Sequence, residues 1–315
     1  MTEIVISSSN LLKGVDTINL SNLKKNKNWT PYLLIAPTVI YYIFFWLNPV
    51  IASIYSSFKG VDGSFTLQNY ITVFTTTSFG EAFGNTAFIA GISIVIEFFL
   101  ALALALLINK KFKGSAIFLF IAMVPMAIPA VGAAAIWKTG LTAHGWMNSL
   151  LYYLGFLAKG EKILFLSGSK FTILWLIIII DTWQVIPSMM IILLAGLQNL
   201  SKEAKEAGYI FGGNGWTVLR QITIPMLKPT IITAVILRLI SAIQIWLIVV
   251  MLFGFDRIPL LLERVIYYKE ELSRLDESYQ IASTYAVITS VIVTIAAVVY
   301  LKVSGAFDMS KKEVV

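Results

Sequence analysis

Apolar residues fall along this chain in six long runs, at about 32–58, 83–108, 114–137, 171–196, 229–255 and 279–303. Each is near or above the roughly 20 residues that a helix needs to cross a bilayer. Lipid cannot satisfy the backbone groups of a loop, so the polar stretches between the runs must lie outside the hydrocarbon. The pattern therefore predicts an all-α membrane protein with six transmembrane helices. A membrane domain at 32–303 is flanked by a polar segment at 1–31 and a polar tail at 304–315. No apolar stretch directly follows a short basic start, so the first run reads as a retained helix rather than a cleaved signal. Pro125 and Pro129 place two breaks in the third run, and Pro187 kinks the fourth. Residues 145–158 alternate aromatics and leucines and read as an interfacial helix.

The interval Ser201–Pro229 differs from the other connections. Ser201 is placed to cap a helix, Lys202 and Glu203 begin its first turn, and Gly212-Gly213 stops it, which predicts a helix of roughly three turns. Ala204, Ala207, Gly208 and Phe211 share one face at i, i+3, i+4, i+7 spacing, and such small residues let another surface approach the backbone closely. Trp216, Leu219 and Ile222 suggest a second short helix, with Pro225 and Pro229 fixing the start of the next run. Composition alone fits an interfacial loop lying on headgroups equally well.

Composition agrees with the membrane reading: 58% of the 315 residues are hydrophobic and 13% charged. The mean hydropathy is +0.82. Such a chain would aggregate in water. With the N-terminus inside, fourteen Lys and Arg fall on the cytoplasmic side and nine on the other, so both termini and the 201–229 interval are expected in the cytoplasm. The net charge of +7 reflects that orientation; no basic patch interleaved with stacking aromatics points to nucleic acid. The chain has no Cys, which excludes disulfides and thiolate chemistry.

Few ionisable groups fall inside the runs, and charge at bilayer depth is costly unless paired or wetted. They are Glu97, Asp181 and Arg238. Arg238 is placed to pair with Asp181 or Glu97, fixing helix packing, or to meet substrate. Asp181-Thr182-Trp183-Gln184 is the candidate sugar-facing patch, since sugars need bidentate polar groups beside an aromatic platform. Gln244 and Trp246 are weaker partners from the fifth run. Aromatics in such runs also serve as packing or interface anchors. His144, the only His, reads as a solvated loop residue.

The stretch Leu197-Gln198 through Glu206-Ala207-Gly208, Gly212, Trp216, Arg220, Ile222-Thr223, Pro225, Leu227 and Pro229 resembles the EAA loop of sugar-type ABC importer permeases, without a gap. That family commonly has Pro at the position of Ser201, Ala at Gly208 and Asp at Phe211. Weaker likenesses extend over about residues 30–303, among them Ser56-Ser57-Phe58 with Asn69-Tyr70, and Val124-Pro125 with Ile128-Pro129 and Trp137. The resemblance implies the type I importer permease architecture, with a cytoplasmic EAA coupling helix between spans 4 and 5. It further implies a plasma-membrane complex with a second permease, usually a paralogue, two ATP-binding subunits and an external solute-binding protein delivering a sugar. Glu203, Glu206, Ala207, Gly208, Gly212, Arg220 and Pro225 are then the residues expected to couple to the ATPase. Glu206 is the charged tether, Ala207 and Gly208 the close-packing face and Gly212 the exit turn.

The chain has no Gly-Lys dipeptide and hence no phosphate-binding loop, so ATP and Mg are expected on the partner ATPase and no cofactor on this chain. No catalytic set and no metal spacing emerge, so no enzyme activity is expected. An ion-coupled secondary transporter is the alternative; it would carry its own coupling carboxylates and often an internal repeat.

Overall fold

The computed structural model describes residues 30–75 and 77–306, and divides into two units, Met1–Ala52 and Ser53–Val315. Most of the polar 1–31 segment and of the 304–315 tail lies outside the described residues. In the first unit α1 (Thr30–Tyr42) passes through a π turn, Ile43–Leu47, into α2 (Asn48–Ser57), whose last residues belong to the second unit. The wide turn closes on an Asn48 N–H to Ile43 carbonyl bond. Around it Tyr41 stacks on Phe45 and Tyr42 on Trp46, with ring centroids 4.8 and 4.7 Å apart.

In the second unit the chain after α2 is tied back by a buried amide. Asn69, on α3 (Gln68–Thr75), donates to the carbonyls of Ser57 and Lys59 at 2.9 and 3.0 Å, while Ser57 Oγ lies 2.9 Å from the Tyr70 hydroxyl. The paired Ser57 and Asn69-Tyr70 motifs in the sequence thus close one loop. Its lone antiparallel bridge, Lys59–Phe65, is the nearest approach to a strand among the described residues.

Two long helices form the centre of the unit, α4 (Phe79–Asn109) and α8 (Lys170–Gln198). Their seam puts Ala101 and Ala105 of α4 against Met189, Met190, Leu193 and Leu197 of α8, all buried. Tails of lipid are as apolar as leucine, so close packing over small residues rather than escape from water holds such a seam together. Helix α11 (Ile224–Ile243) packs against both α4 and α8, and α14 (Ser278–Ser304) packs against α11. Among the described residues, five helical stretches are long and apolar enough to cross a membrane, and a sixth crossing is available if one bent pair counts as a span.

That pair is the third apolar run. It is not one straight helix but α5 (Ser115–Ala127) and α6 (Ala130–Gly140), bent by 94° at Ile128-Pro129. The cause is local: Pro129 forces the residue before it out of the helical region, and Ile128 sits in an extended conformation with ψ 123°. Pro125, by contrast, remains inside α5. The fifth run also differs from its expected extent. Helix α11 stops at Ile243, and α12 (Leu247–Phe253) starts only after Gln244–Trp246. Towards its start the helix is longer than expected. α10 (Gly215–Val218), a π turn at Leu219–Thr223 and α11 form one continuous stretch, Gly215–Ile243, with Pro225 inside its first turns. Pro225 has no N–H to contribute, and the π turn just before it already departs from the i to i+4 ladder that a proline would break.

After α6 the chain turns into α7 (Trp146–Tyr153), which ends five residues short of the helix expected at 145–158. The corner depends on Gly145. A methyl group there would lie 2.5 Å from the Thr139 carbonyl oxygen and closer still to that of Gly140. Gly145→Ala is expected to destabilise the unit by about 1–3 kcal/mol. A thermal melt of the purified variant that coincides with that of the parent would refute the role of this corner.

Candidate functional site

Arg238 of α11 reaches across the seam and joins three helices. Its Nε donates to Glu97 Oε2 on α4, and its Nη2 to Glu97 Oε1 at 2.9 Å. The same Nη2 donates to Asp181 of α8 and to Ser93 Oγ at 3.2 Å, while Nη1 reaches Ser241 Oγ at 3.3 Å. Glu97 is fully buried, with Arg238 and Asp181 at 5% and 6% exposure. Of the alternatives open in the sequence, the structure takes both pairings at once. Asp181 therefore turns into the packed interior, towards Arg238. Ser93 and Ser241 complete the network and had no signal of their own in the sequence.

The neighbouring residues of α8 face a different environment. The 94° bend at Ile128-Pro129 frees the Ile128 carbonyl, and Gln184 Nε2 donates to it at 3.0 Å. A freed carbonyl in a membrane span needs such a partner. Trp183 meets Trp137 of α6 edge to face, centroids 5.6 Å apart, and Trp137 in turn lies against Trp146 at 5.5 Å. The indole nitrogen of Trp137 is buried with no hydrogen-bond partner among the described residues. Gln244, exposed, ends α11 and Trp246, half-buried, begins α12, so both sit at the second helix break. Ile128 and Ile245, one from each break, belong to the same apolar cluster. The short halves α6 and α12 pack together, and Lys138 Nζ caps the end of α12 by donating to the Met251 carbonyl at 2.9 Å. Lys138 is the residue here that the sequence did not single out, and Trp137 entered it only as part of the wider resemblance, not as a member of this patch.

The polar interval forms α9 (Lys202–Ile210), α10 and the π turn. Ser201 Oγ accepts from the Ala204 N–H at 3.1 Å and donates to Glu203 Oε2 at 2.7 Å. That hydroxyl holds the Glu203 carboxyl below its ordinary range. Gly212 ends the helix at φ +81°, the left-handed conformation that glycine adopts without strain. Gly208 is not bare to an outside surface. A Cβ there would run into the Ile222 side chain and lie 3.2 Å from Val218 Cγ2, so α9 packs through Gly208 onto its own following helix. Glu206 is exposed and makes no hydrogen bond or ion pair within the described residues. Arg220 and Pro225 are exposed on the continuous helix.

A second buried ionic cluster lies between α12 and α14. Arg264, on α13 (Leu261–Ile266), is 2% exposed and pairs with Glu263 at 2.7 Å and Asp256 at 2.9 Å. Its guanidinium also covers the Tyr267 ring, 4.3 Å from the centroid. Arg264 is one of the nine basic residues counted on the outer side, and that count carries no sign of its burial. The signal was available: Glu263-Arg264 is an adjacent opposite pair with apolar residues on both sides, Leu260-Leu261-Leu262 and Val265-Ile266.

These features match a known architecture. Residues 97–305 fit the family described as binding-protein-dependent transport system inner membrane component. The chain belongs to that family. It is similar to the trehalose/maltose transport system permease protein MalF of Thermococcus litoralis, 30% identical over 297 residues that cover 90% of this chain and 96% of the relative. The lactose transport system permease protein LacF of Rhizobium radiobacter is 30% identical over 236 residues, 73% of this chain and 78% of the relative. Among solved structures, a bacterial ABC transporter involved in the import of the acidic polysaccharide alginate superposes with a TM-score of 0.77 at 22% identity, over 90% of this chain and 97% of that one. That likeness shows the fold. The protein is thus a multi-pass inner-membrane permease of a binding-protein-dependent ABC importer, not an enzyme, and the ion-coupled alternative falls with the family assignment.

Proposed function

We propose that this permease imports a sugar or related carbohydrate delivered by an external solute-binding protein. In this reading it acts with a second permease, a paralogue, and with two ATP-binding subunits that hold ATP and Mg. The observation that carries the substrate assignment is the pair of helix breaks beside one patch of indoles and an amide. Trp137 and Trp183 offer apolar platforms for sugar rings and Gln184 an amide for hydroxyls at the first break, and Gln244 and Trp246 bring the same two chemistries to the second. The names of the relatives, trehalose/maltose and lactose permeases, support the same class. Asp181 and Arg238 then act behind the patch by fixing the helices that carry it. Lys and Arg bias supports a cytoplasmic α9 and cytoplasmic termini. Glu206 is the tether to a basic ATPase residue, Ala207 lies beside it, Gly212 sets the helix exit, and Arg220 and Pro225 belong to the rod that receives the push.

The test is uptake into proteoliposomes holding the whole complex. ATP should drive uptake of trehalose, maltose or lactose only when the binding protein is present. Trp183→Ala and Gln184→Leu should each lower uptake about tenfold, the effect of losing about 1.4 kcal/mol of contact. Unchanged uptake in both variants would remove the patch from the substrate path, and uptake driven by an ion gradient without ATP would overturn the whole reading.

A further inference from the structure

At the end of the bundle where α4 stops, a cavity of about 510 Å³ opens between that helix end and the polar interval. Leu106 and Leu197 line it, while Asn109, Lys110, Lys205 and Trp216 add polar and aromatic walls. Its level is set by the helices themselves. Asn109 is the last residue of a 31-residue apolar helix, and Lys110, Lys111 and Lys113 follow at once, which is the usual sign of the headgroup zone. Trp216, 67% exposed, has the position of an interfacial anchor. Lys110 and Lys205 have no ion pair among the described residues, although they line one cavity from different elements. Two unpaired ammonium groups over an apolar wall call for a ligand with an anionic head and an apolar stem. A free phosphate, strongly hydrated, gains nothing from Leu106 and Leu197; a phospholipid gains from both parts of the site.

We propose that this cavity binds an anionic phospholipid, with Lys110 and Lys205 sharing its phosphate and the acyl stem lying over Leu106 and Leu197. Because Lys110 belongs to the end of α4 and Lys205 to α9, the lipid would bridge a membrane helix and the helix assigned above to ATPase coupling. Binding itself does not depend on that assignment.

The purified importer complex is placed in nanodiscs of phosphatidylcholine alone or of an equal mixture with phosphatidylglycerol, and retained lipid is counted by native mass spectrometry. Phosphatidylglycerol should be retained by the parent. Lys110→Gln and Lys205→Gln should each weaken retention about fivefold, the worth of roughly one lysine at an anionic surface, and the pair should act together. Lys110→Arg should keep it, and Lys113→Gln, outside the cavity, should leave it unchanged. Melting temperatures matching the parent's would show that the variants are folded. Retention unaltered in the double variant overturns the proposal. So does displacement of the lipid by inorganic phosphate, which would make free phosphate the ligand. If phosphatidylglycerol is retained only after the ATP-binding subunits are stripped away, the cavity is a protein interface and the proposal fails. Because lipid retention is read without transport, its outcome stands apart from that of the sugar assignment.

Discussion

Arg238→Leu should destabilise the folded permease by about 3–5 kcal/mol, the cost of leaving buried charge without its partner. The network holds two carboxylates and one guanidinium. Removing the cation strands Glu97 and Asp181 side by side, whereas Asp181→Asn leaves a neutral amide beside an intact Arg238–Glu97 pair and should cost much less. The order of the variants is thus the informative quantity. Glu97→Gln with Asp181→Asn and Arg238→Met removes every charge at nearly constant volume and should recover most of the loss, since buried ion pairs exchanged for neutral groups are often close to neutral in stability. Melting of the purified complex checks this. A triple variant that melts below Arg238→Leu would show that shape, not charge, dictates the site.

Glu206→Arg and Gly212→Val should abolish most uptake while the spans stay folded and the ATP-binding subunits still hydrolyse ATP. Glu206 is the one acidic residue of α9 without an internal commitment, because Ser201 engages Glu203. Reversing its charge at a contact with a basic residue should cost about 2–5 kcal/mol, more than tenfold in occupancy of the docked state. Gly212 sits at φ +81°, where a β-branched residue is strained by about 1–2 kcal/mol, so valine should redirect the chain that leaves α9. Uptake per ATP hydrolysed is the measurement. Normal coupling in both variants would remove α9 from the transmission path.

Much of this was legible because its causes are local. Ser201 and Gly212 mark the ends of α9 through bonds and angles made within a few residues. Pro129 announces the bend for the same reason. The three buried charges could be named, since any charge inside an apolar run must be neutralised or paired, but their joint arrangement spans separations of 57 and 141 residues and is a property of packing. The break after Ile243 has no proline or glycine to announce it. Gly208 was recognised as a close-approach residue, yet the surface approaching it is Ile222 of the same chain. The contacts of Trp137 and the burial of Arg264 escaped because each depends on residues brought together from elsewhere in the chain.

Gly208 seated on Ile222 makes a mechanical statement. Ile222 lies in the unbroken stretch Gly215–Ile243, 29 residues and so about 43 Å of rod at 1.5 Å per residue. A swing of about 5° imposed at the α9 end would carry the far tip through about 4 Å over that length. The tip is where Gln244 and Trp246 interrupt the span, and Arg238 grips Glu97 and Asp181 a turn and a half before it. The triad ties the far part of that rod to α4 and α8, so a stroke received at α9 would reach the break as a joint movement of three helices rather than as the free swing of one.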